Sequence, residues 1–459
     1  MYIGRTEVQQ VLHPPIRRHL GSFTQRSGPR TMGRRGCLRS QFARITPVEL
    51  RGPKEPALDH LLAGCRMADP QVLGGICGHW CAITKKMLPC YGKITTLRRS
   101  DNNDSQRDPP PIEVLSILVY VAVAVVLIFD YTNGFHDASN IIATPIASRA
   151  LTPVQAVIIV AFFEFLGPLL GGTAVANTIG KFVNLDGVAE LFSVSIILCG
   201  LSGAIFWNLI TWWFGIPSSS SHALVGGLAG AVMVGVGADH VVWGFSELFM
   251  HGKFTGVTKV LLALVISPVI GFVMGFLIHR LVFRLTTQAK PGINRFFKRI
   301  QFLSCAGLAF SHGANDAQKS MGIITLVLLT GGFIDEFRVP FWVILSCAIA
   351  ITLGILSGGW RIVRTVGFGI FKVRPIHAFD GQLTSAIVIM TASVLGAPVS
   401  TTHVVSSSLM GIGSAERPKA VRWAKAQEIV TTWLITIPGA GIVSIMTFLV
   451  LDLLVPGLD

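Results

Sequence analysis

Two short polar stretches recur in an otherwise apolar chain, "GIPSSSSHA" at residues 215–223 and "GAPVSTTHV" at residues 396–404. Both follow the pattern G-x-P-x-S-x-x-H, and they begin 181 residues apart. A proline interrupts a helix, and a serine or threonine just after it is a favourable start for a new one. Each stretch therefore predicts a helix that breaks and restarts, with hydroxyl groups at the restart.

The composition around these stretches is that of a membrane protein. Of the 459 residues, 51% are hydrophobic and only 14% are charged, whereas a soluble domain carries about 25% charged residues. Apolar runs follow one another from residue 113 to residue 455, and several are shorter than the roughly 20 residues that span a bilayer. The sequence predicts an all-α polytopic membrane protein with about 10–12 membrane segments, including two re-entrant or broken helix hairpins. Continuous rather than alternating apolar runs exclude a β-barrel.

Other motifs recur in the same order as the two polar stretches. "NGFHDASN" at 133–140 matches "HGANDAQK" at 312–319, and "LGPLLGG" at 166–172 matches "LGILSGG" at 353–359. Three motifs repeated at nearly one spacing indicate an internal duplication. We predict repeats at 111–279 and 301–459, in inverted orientation because that is the commoner transporter design. The loop between them, 280–300, carries basic residues without an acid and is predicted to be cytoplasmic.

Residues 1–110 differ from the rest of the chain. They hold 18 of the 38 lysines and arginines but only 8 of the 24 acidic residues, and they contain no spanning run. We predict a basic, mostly disordered segment, serving as a membrane-surface arm or reflecting a start codon placed too far upstream. Its "CGHWC" at 77–81 lacks the four-ligand spacing of a zinc site, so no metal is predicted there.

The restarted helices predict an anion-binding site. A helix N-terminus presents unpaired N–H groups and a partial positive charge, which favours anions. Hydroxyl groups suit a partly protonated oxyanion, because they both donate and accept hydrogen bonds. The alternative is that small hydroxyl residues only pack helices together. The predicted substrate-binding residues are Ser219, Ser220, Ser221, Ser400, Thr401 and Thr402.

Charged groups in the apolar runs point to an ion pathway, because each costs about 2.5–3.5 kcal/mol at the bilayer centre unless it faces a cavity or a partner. Asp137 and Asp316 are the strongest candidates, since they occupy equivalent positions in the repeats. A protonated Glu164, backbone-bonded histidines, and interfacial positions for Asp130 and Arg149 are the alternatives. The predicted coupling-ion pathway comprises Asp137, Asn140, Glu164, Asn315, Asp316 and Lys319. Candidates for a proton relay are His136, His222, His312 and His403.

These motifs resemble the inorganic phosphate transporter (PiT) family, above all its bacterial low-affinity phosphate permeases. "GANDAQKSMG" and "NGFHDASNIIAT" are similar to the family's paired signatures, and "PSSSSH" and "PVSTTH" to its hairpin tips. The resemblance implies secondary phosphate import by a multi-pass plasma (inner) membrane protein that is not an enzyme. It implies anion binding at the hydroxyl cluster, and places Asp137, Asn140 and Asp316 near the coupling ion. No cofactor, resident metal or nucleic-acid partner is expected, and a homodimer is left open.

One departure from the family bears on the coupling ion. Sodium-coupled relatives tend to repeat D-x-x-N in both halves, but here Lys319 replaces the second asparagine. We therefore favour protons over sodium, with phosphate carried alone or as a divalent metal complex. The alternatives are sodium coupling and another tetrahedral oxyanion such as arsenate or sulfate. A channel or an intramembrane hydrolase fits the duplicated motifs less well.

Overall fold

The computed structural model describes residues 112–290 and 292–455, which contain thirteen α-helices. The first repeat holds α1 Ile112–Ala147, α2 Pro153–Leu170, α3 Ala174–Gly180, α4 Glu190–Trp213, α5 Ser220–Gly235, α6 Phe245–His251 and α7 Gly256–Thr286. The second holds α8 Ile293–Thr330, α9 Phe341–Ser357, α10 Trp360–Gly369, α11 Pro375–Val394, α12 Thr401–Glu416 and α13 Trp423–Leu454. The predicted basic segment 1–110 lies outside the described residues.

The all-helical membrane fold is confirmed. Five of the described helices (α1, α2, α4, α7 and α13) are long and apolar enough to cross a bilayer, and α9 with α10 form a sixth candidate bent by 71°. The longest helix, α8, has 38 residues and carries the second copy of the polar signature in its middle. The predicted loop 280–300 is mostly helical, because α7 continues to Thr286 and α8 starts at Ile293.

The first polar stretch forms the tip of a helix hairpin. Helices α4 and α5 run antiparallel, since Gly200 packs against Leu228 while Ile196 packs against Gly235. The chain reverses at Gly215, whose φ of +67° lies in the left-handed region that favours glycine. An antiparallel bridge from Val183 to Val241 joins the two ends of the hairpin. Both arms therefore begin and end on the same side, as a re-entrant hairpin requires.

The second polar stretch forms the matching hairpin from α11 and α12. Gly396 turns the chain with a φ of +64°, the equivalent of Gly215. Arg374, just before α11, contacts Glu416 at the end of α12, so the open ends again meet. The N-caps also match, because Ser219 and Ser400 accept hydrogen bonds from the backbone N–H of His222 (3.2 Å) and His403 (3.3 Å). The two predicted breaks and helix restarts are confirmed.

The two hairpins enter from opposite sides. The helix α5 runs parallel to α13, with Gly226 on Ile437 and Gly230 on Gly441. In the same way α12 runs parallel to α7, where Gly275 packs on Ser408. Helix α7 starts beside the open end of the first hairpin and runs away from it, so its direction is opposite to that of α5. Because α12 is parallel to α7, α12 also runs opposite to α5. The repeats are therefore inverted, and this prediction from the sequence is confirmed.

The two signature helices cross between the repeats at the centre of the fold. Helix α1 packs on α9 through Gly134, where a Cβ atom would overlap the carbonyl of Ile351. Helix α8 packs on α2 through Gly313, where a Cβ would overlap the carbonyl of Glu164. These contacts bring the polar residues of both signatures next to both hairpin tips.

Candidate functional site

Asp137 lies at the centre of the fold, is only 1% exposed, and receives hydrogen bonds from both hairpin tips. Its Oδ1 accepts from Asn140 Nδ2 (3.0 Å) and Thr402 Oγ1 (2.8 Å). Its Oδ2 accepts from Ser220 Oγ (3.2 Å) and Thr401 Oγ1 (3.3 Å). Three hydroxyls predicted to bind an anion therefore surround one carboxylate in this state of the protein.

Asp316 forms the matching centre in the second repeat. Lys319 Nζ lies 2.8 Å from Asp316 Oδ1, 2.5 Å from Ser221 Oγ and 3.0 Å from the carbonyl oxygen of Val399. Both side chains of this ion pair are at most 1% exposed. Although the hairpin motifs contain no lysine or arginine, the fold brings the ammonium group of Lys319 to the first tip.

The two centres are built from equivalent residues that reach across to the opposite repeat. Asn140 hydrogen-bonds Thr402 of the second hairpin at 2.8 Å, and Lys319, its equivalent, hydrogen-bonds Ser221 of the first. Asn133 Nδ2 donates to Asp316 Oδ2 at 3.3 Å. Its equivalent, His312, lies 3.9 Å from Asp137 Oδ2. The two centres are thus arranged alike, but the first repeat has the Asn140 amide where the second has the Lys319 ammonium group.

His312 lies between three buried acids of the centre, Asp137, Glu164 and Asp316. Its Nδ1 lies 2.5 Å from Glu164 Oε1, and its Nε2 lies 3.7 Å from Asp316 Oδ2 as well as near Asp137. Glu164, on α2, is fully buried. Ligand atoms of Asp137, His312 and Asp316 lie within 4.8 Å of one another. This group could hold a small cation or share protons.

Of the remaining predicted residues, His136 and Asn315 contact the hairpin tips, and His136 Nδ1 also lies 3.0 Å from Asp137 Oδ1. His136 Nε2 lies 3.3 Å from Ser218 Oγ in the first tip. Its equivalent, Asn315, accepts from the Val399 N–H (3.4 Å) and donates to the Ala397 carbonyl (3.3 Å) in the second tip. The rings of His222 and His403 pack on each other at 4.6 Å, and His403 stacks on Trp433 at 3.9 Å. A relay through these two histidines stays a prediction.

Two buried polar positions near the centre were missed by the sequence analysis. Asn133 was passed over although it opens the first signature and aligns with His312. Gln318 is fully buried and joins α2, α3 and α8: its Oε1 accepts from the Val175 N–H at 2.7 Å, and its Nε2 donates to the Gly171 carbonyl at 3.2 Å. The signal available for both was their place inside the duplicated motifs.

The suggestion that Asp130 and Arg149 share an interfacial position is wrong for the aspartate. Asp130 lies within α1 and is fully buried, whereas Arg149 is exposed just beyond the end of that helix. The sequence around Asp130 did not reveal which face of the helix it occupies. Neither carboxylate oxygen of Asp130 has a hydrogen-bond partner within the described ranges.

Two inverted repeats, each carrying a re-entrant hairpin whose tip meets buried charges at the centre, define the architecture of a secondary transporter. Residues 133–444 match the family described as "Phosphate transporter family". The chain therefore belongs to the phosphate transporter family, which makes it a transporter rather than an enzyme. Together with its apolar helices, this membership makes it a multi-pass plasma membrane protein.

Named relatives agree with this membership. The chain is 43% identical over 333 residues to a probable low-affinity inorganic phosphate transporter of Rhizobium meliloti, covering 72% of this chain and 96% of that one. It is 41% identical to the Bacillus subtilis protein of the same description, covering 75% and 100%. A solved structure titled "The sodium-dependent phosphate transporter" superposes with a TM-score of 0.64 at 27% identity, covering 74% of this chain and all of that one.

Proposed function

We propose that this protein imports inorganic phosphate across the plasma membrane by cation symport, with protons as the coupling ion. The observation that carries the proposal is the meeting of both hairpin tips at Asp137, where Ser220, Thr401 and Thr402 all donate to its carboxylate. Two helix N-termini and a set of hydroxyls converge there, and this combination suits a tetrahedral oxyanion. Family membership favours phosphate over arsenate or sulfate.

Phosphate would bind at the facing N-termini of α5 and α12. The first N–H groups of each helix have no acceptor within their own helix. Ser219 and Ser400 already cap the N–H groups of His222 and His403, so the earlier amides and the hydroxyls around them are the donors for the anion. Lys319, hydrogen-bonded to Ser221, adds a positive charge at the edge of this site.

Coupling follows from competition for the same hydroxyl donors. An ionised Asp137 holds three hydroxyls and also repels a nearby anion. Protonation of the acidic cluster removes that repulsion and frees hydroxyls to donate to phosphate. Cation and anion then bind cooperatively, because each lowers the cost of binding the other. Asp137 is therefore the proposed coupling residue, and Ser220, Thr401 and Thr402 are the residues that change partner.

Protons are favoured over sodium because of Lys319 and His312. The ammonium group of Lys319 lies beside Asp316 in the second repeat. In the first repeat, the amide of Asn140 takes the equivalent place beside Asp137. A sodium ion there would have to displace a buried cation. His312 contacts Glu164 and approaches both aspartates, so a titratable side chain links the three acids. Sodium is the second candidate, since the superposed transporter is described as sodium-dependent.

The test is labelled-phosphate uptake into proteoliposomes that contain the purified full-length protein. A pH gradient and a sodium gradient are imposed separately, each with and without Mg²⁺, and arsenate and sulfate serve as competitors. We expect uptake driven by inward protons and competed by arsenate more than by sulfate. Uptake that only sodium drives would overturn proton coupling, and a strict Mg²⁺ requirement would identify a metal–phosphate complex as the cargo. Folded protein without gradient-driven uptake would refute symport.

A further inference from the structure

A second polar cluster lies at the open end of the second hairpin, separate from the central acids. It consists of His279 on α7, His377 in the first turn of α11 and Glu416, the last residue of α12. One ligand atom from each lies within 4.8 Å of the others. His377 Nε2 is 2.6 Å from Glu416 Oε2, and the two histidine rings are 5.3 Å apart. Two imidazoles and a carboxylate are common ligands of zinc-type ions.

The cluster has the supporting contact that is typical of a metal-binding histidine. Asp380 Oδ2 lies 2.7 Å from His279 Nδ1, and both side chains are almost fully buried. A carboxylate at one ring nitrogen fixes the tautomer and orients the other nitrogen towards a metal. His279 Nε2 is buried and has no hydrogen-bond partner in the described parts of the chain. That nitrogen is left available for a ligand.

The other ligands are held by groups that an ion can replace. His377 Nδ1 accepts from the Arg374 backbone N–H at 3.1 Å, so the proton of the neutral ring is on Nε2, next to Glu416. The side chain of Arg374 also contacts Glu416 and is 53% exposed, so it can swing into solvent. A metal would take the place of the guanidinium charge and release the Nε2 proton.

The first repeat shows that the fold does not need polar residues at this place. The equivalents of His377, Asp380 and Glu416 are Ile196, Cys199 and Gly235. Gly235 packs against the side chain of Ile196 and against Phe448 of α13, so the matching position is apolar. Burying ionisable groups costs free energy unless they are paired or hydrogen-bonded, and such groups inside membrane proteins are usually functional. The polar version therefore points to a role that belongs to the second hairpin alone.

We propose that His279, His377 and Glu416 bind a divalent transition-metal ion of the zinc type, with water as a fourth ligand. The sequence analysis predicted no resident metal. These three residues are far apart in the chain and form no motif. The bound ion ties α7 to both arms of the second hairpin at their open end. Because α12 packs directly on α7, the ion joins helices that already lie in contact, so occupancy of this site stabilises the folded protein without blocking the phosphate site.

The experiment measures binding of Co²⁺ to the purified full-length protein by its visible absorption, with Zn²⁺ as the competitor. The variants are His279→Gln, His377→Gln and Glu416→Gln, each checked for folding by its melting temperature. The matched control is His251→Gln, since His251 is exposed and also lies beside a glutamate, Glu247, at 3.4 Å. Asp380→Asn tests the positioning contact, and His312→Gln tests the central acids as a competing site.

We expect Co²⁺ affinity to fall at least tenfold in the three ligand variants and about 10–100-fold in Asp380→Asn. His251→Gln and His312→Gln should bind as the unmodified protein does. Zn²⁺ should raise the melting temperature of the unmodified protein but not that of Glu416→Gln. Unchanged Co²⁺ binding in the ligand variants, or loss of binding only in His312→Gln, would overturn the proposal. The absorption readout needs no transport, so it stands apart from the test of the proposed function.

Discussion

Replacing Lys319 by asparagine tests why the two centres differ. The variant Lys319→Asn gives the second repeat the Asp-x-x-Asn spacing that the first repeat has at Asp137 and Asn140. The new amide would face Ser221, as the amide of Asn140 faces Thr402. Removing one partner of a buried ion pair costs about 3–5 kcal/mol, because the remaining charge is uncompensated. Asp316 would then attract a cation from solution, and we expect the variant to bind sodium there.

The magnitude of that gain follows from linkage. An ion that binds only the folded protein contributes about 2.7 kcal/mol at 100 times its dissociation constant. Saturating Na⁺ should therefore recover most of the stability that the variant loses in choline. Thermal unfolding in NaCl and in choline chloride measures this difference, and proteoliposome uptake measures whether sodium now drives transport. In the unmodified protein, sodium should neither raise the melting temperature nor drive uptake, because Lys319 Nζ already lies 2.8 Å from Asp316.

The control is Lys253→Asn, which removes an exposed lysine outside the centre. It should behave as the unmodified protein in both salts. The reasoning is refuted if folded Lys319→Asn shows no sodium-dependent stabilisation and still couples to protons. It is also refuted if sodium drives the unmodified protein, since the ammonium group would then not exclude the ion.

Three further variants test the hairpin tips. Asp137→Asn mimics a permanently neutral carboxyl, so phosphate counterflow should become insensitive to pH while proton-driven accumulation is lost; pH-dependent counterflow in this variant would exclude Asp137 as the coupling residue. Gly396→Ala should lower stability by about 1–2 kcal/mol or more, and more than Gly215→Ala, because its Cβ would lie 2.9 Å from the Ala174 carbonyl oxygen against 3.4 Å from that of Arg361; equal melting temperatures would contradict this ranking. Ser400→Ala removes an N-cap and should cost about 1 kcal/mol, measured by thermal unfolding. Ser414→Ala, in the last turn of the same helix, is the control.

The positions of the hairpins could be predicted from the sequence, but the chemistry where they meet could not. Proline, serine and spacing identify a helix restart by local rules, so Ser219 and Ser400 are caps as expected. Whether a hydroxyl of one tip contacts the acid of its own or of the opposite repeat depends on how the helices cross. That crossing is set by packing at residues such as Gly134 and Gly313, which carry no signal of their partners.

The duplication helped most where both copies kept the same residue and least where they diverged. Asp137 and Asp316 are recognised because they match. Lys319 is recognised because it does not match Asn140, yet its contact with Ser221 needed the structure. His279 and His377 could not be found by either route, since they belong to no repeated motif and come together only when α7 packs against the second hairpin.

The parallel packing of each hairpin helix on the last helix of the other repeat has a consequence for how the protein can be divided. Helix α5 meets α13 through Gly226 and Gly230, whose backbone lies directly against Ile437 and Gly441. With no long side chains to repack at this seam, hairpin and supporting helix move as one body. The bodies that rock during transport are therefore composites of both halves of the chain. A single repeat would expose the glycine face of its hairpin to lipid, so two repeats in opposite orientations are the smallest unit that covers both faces.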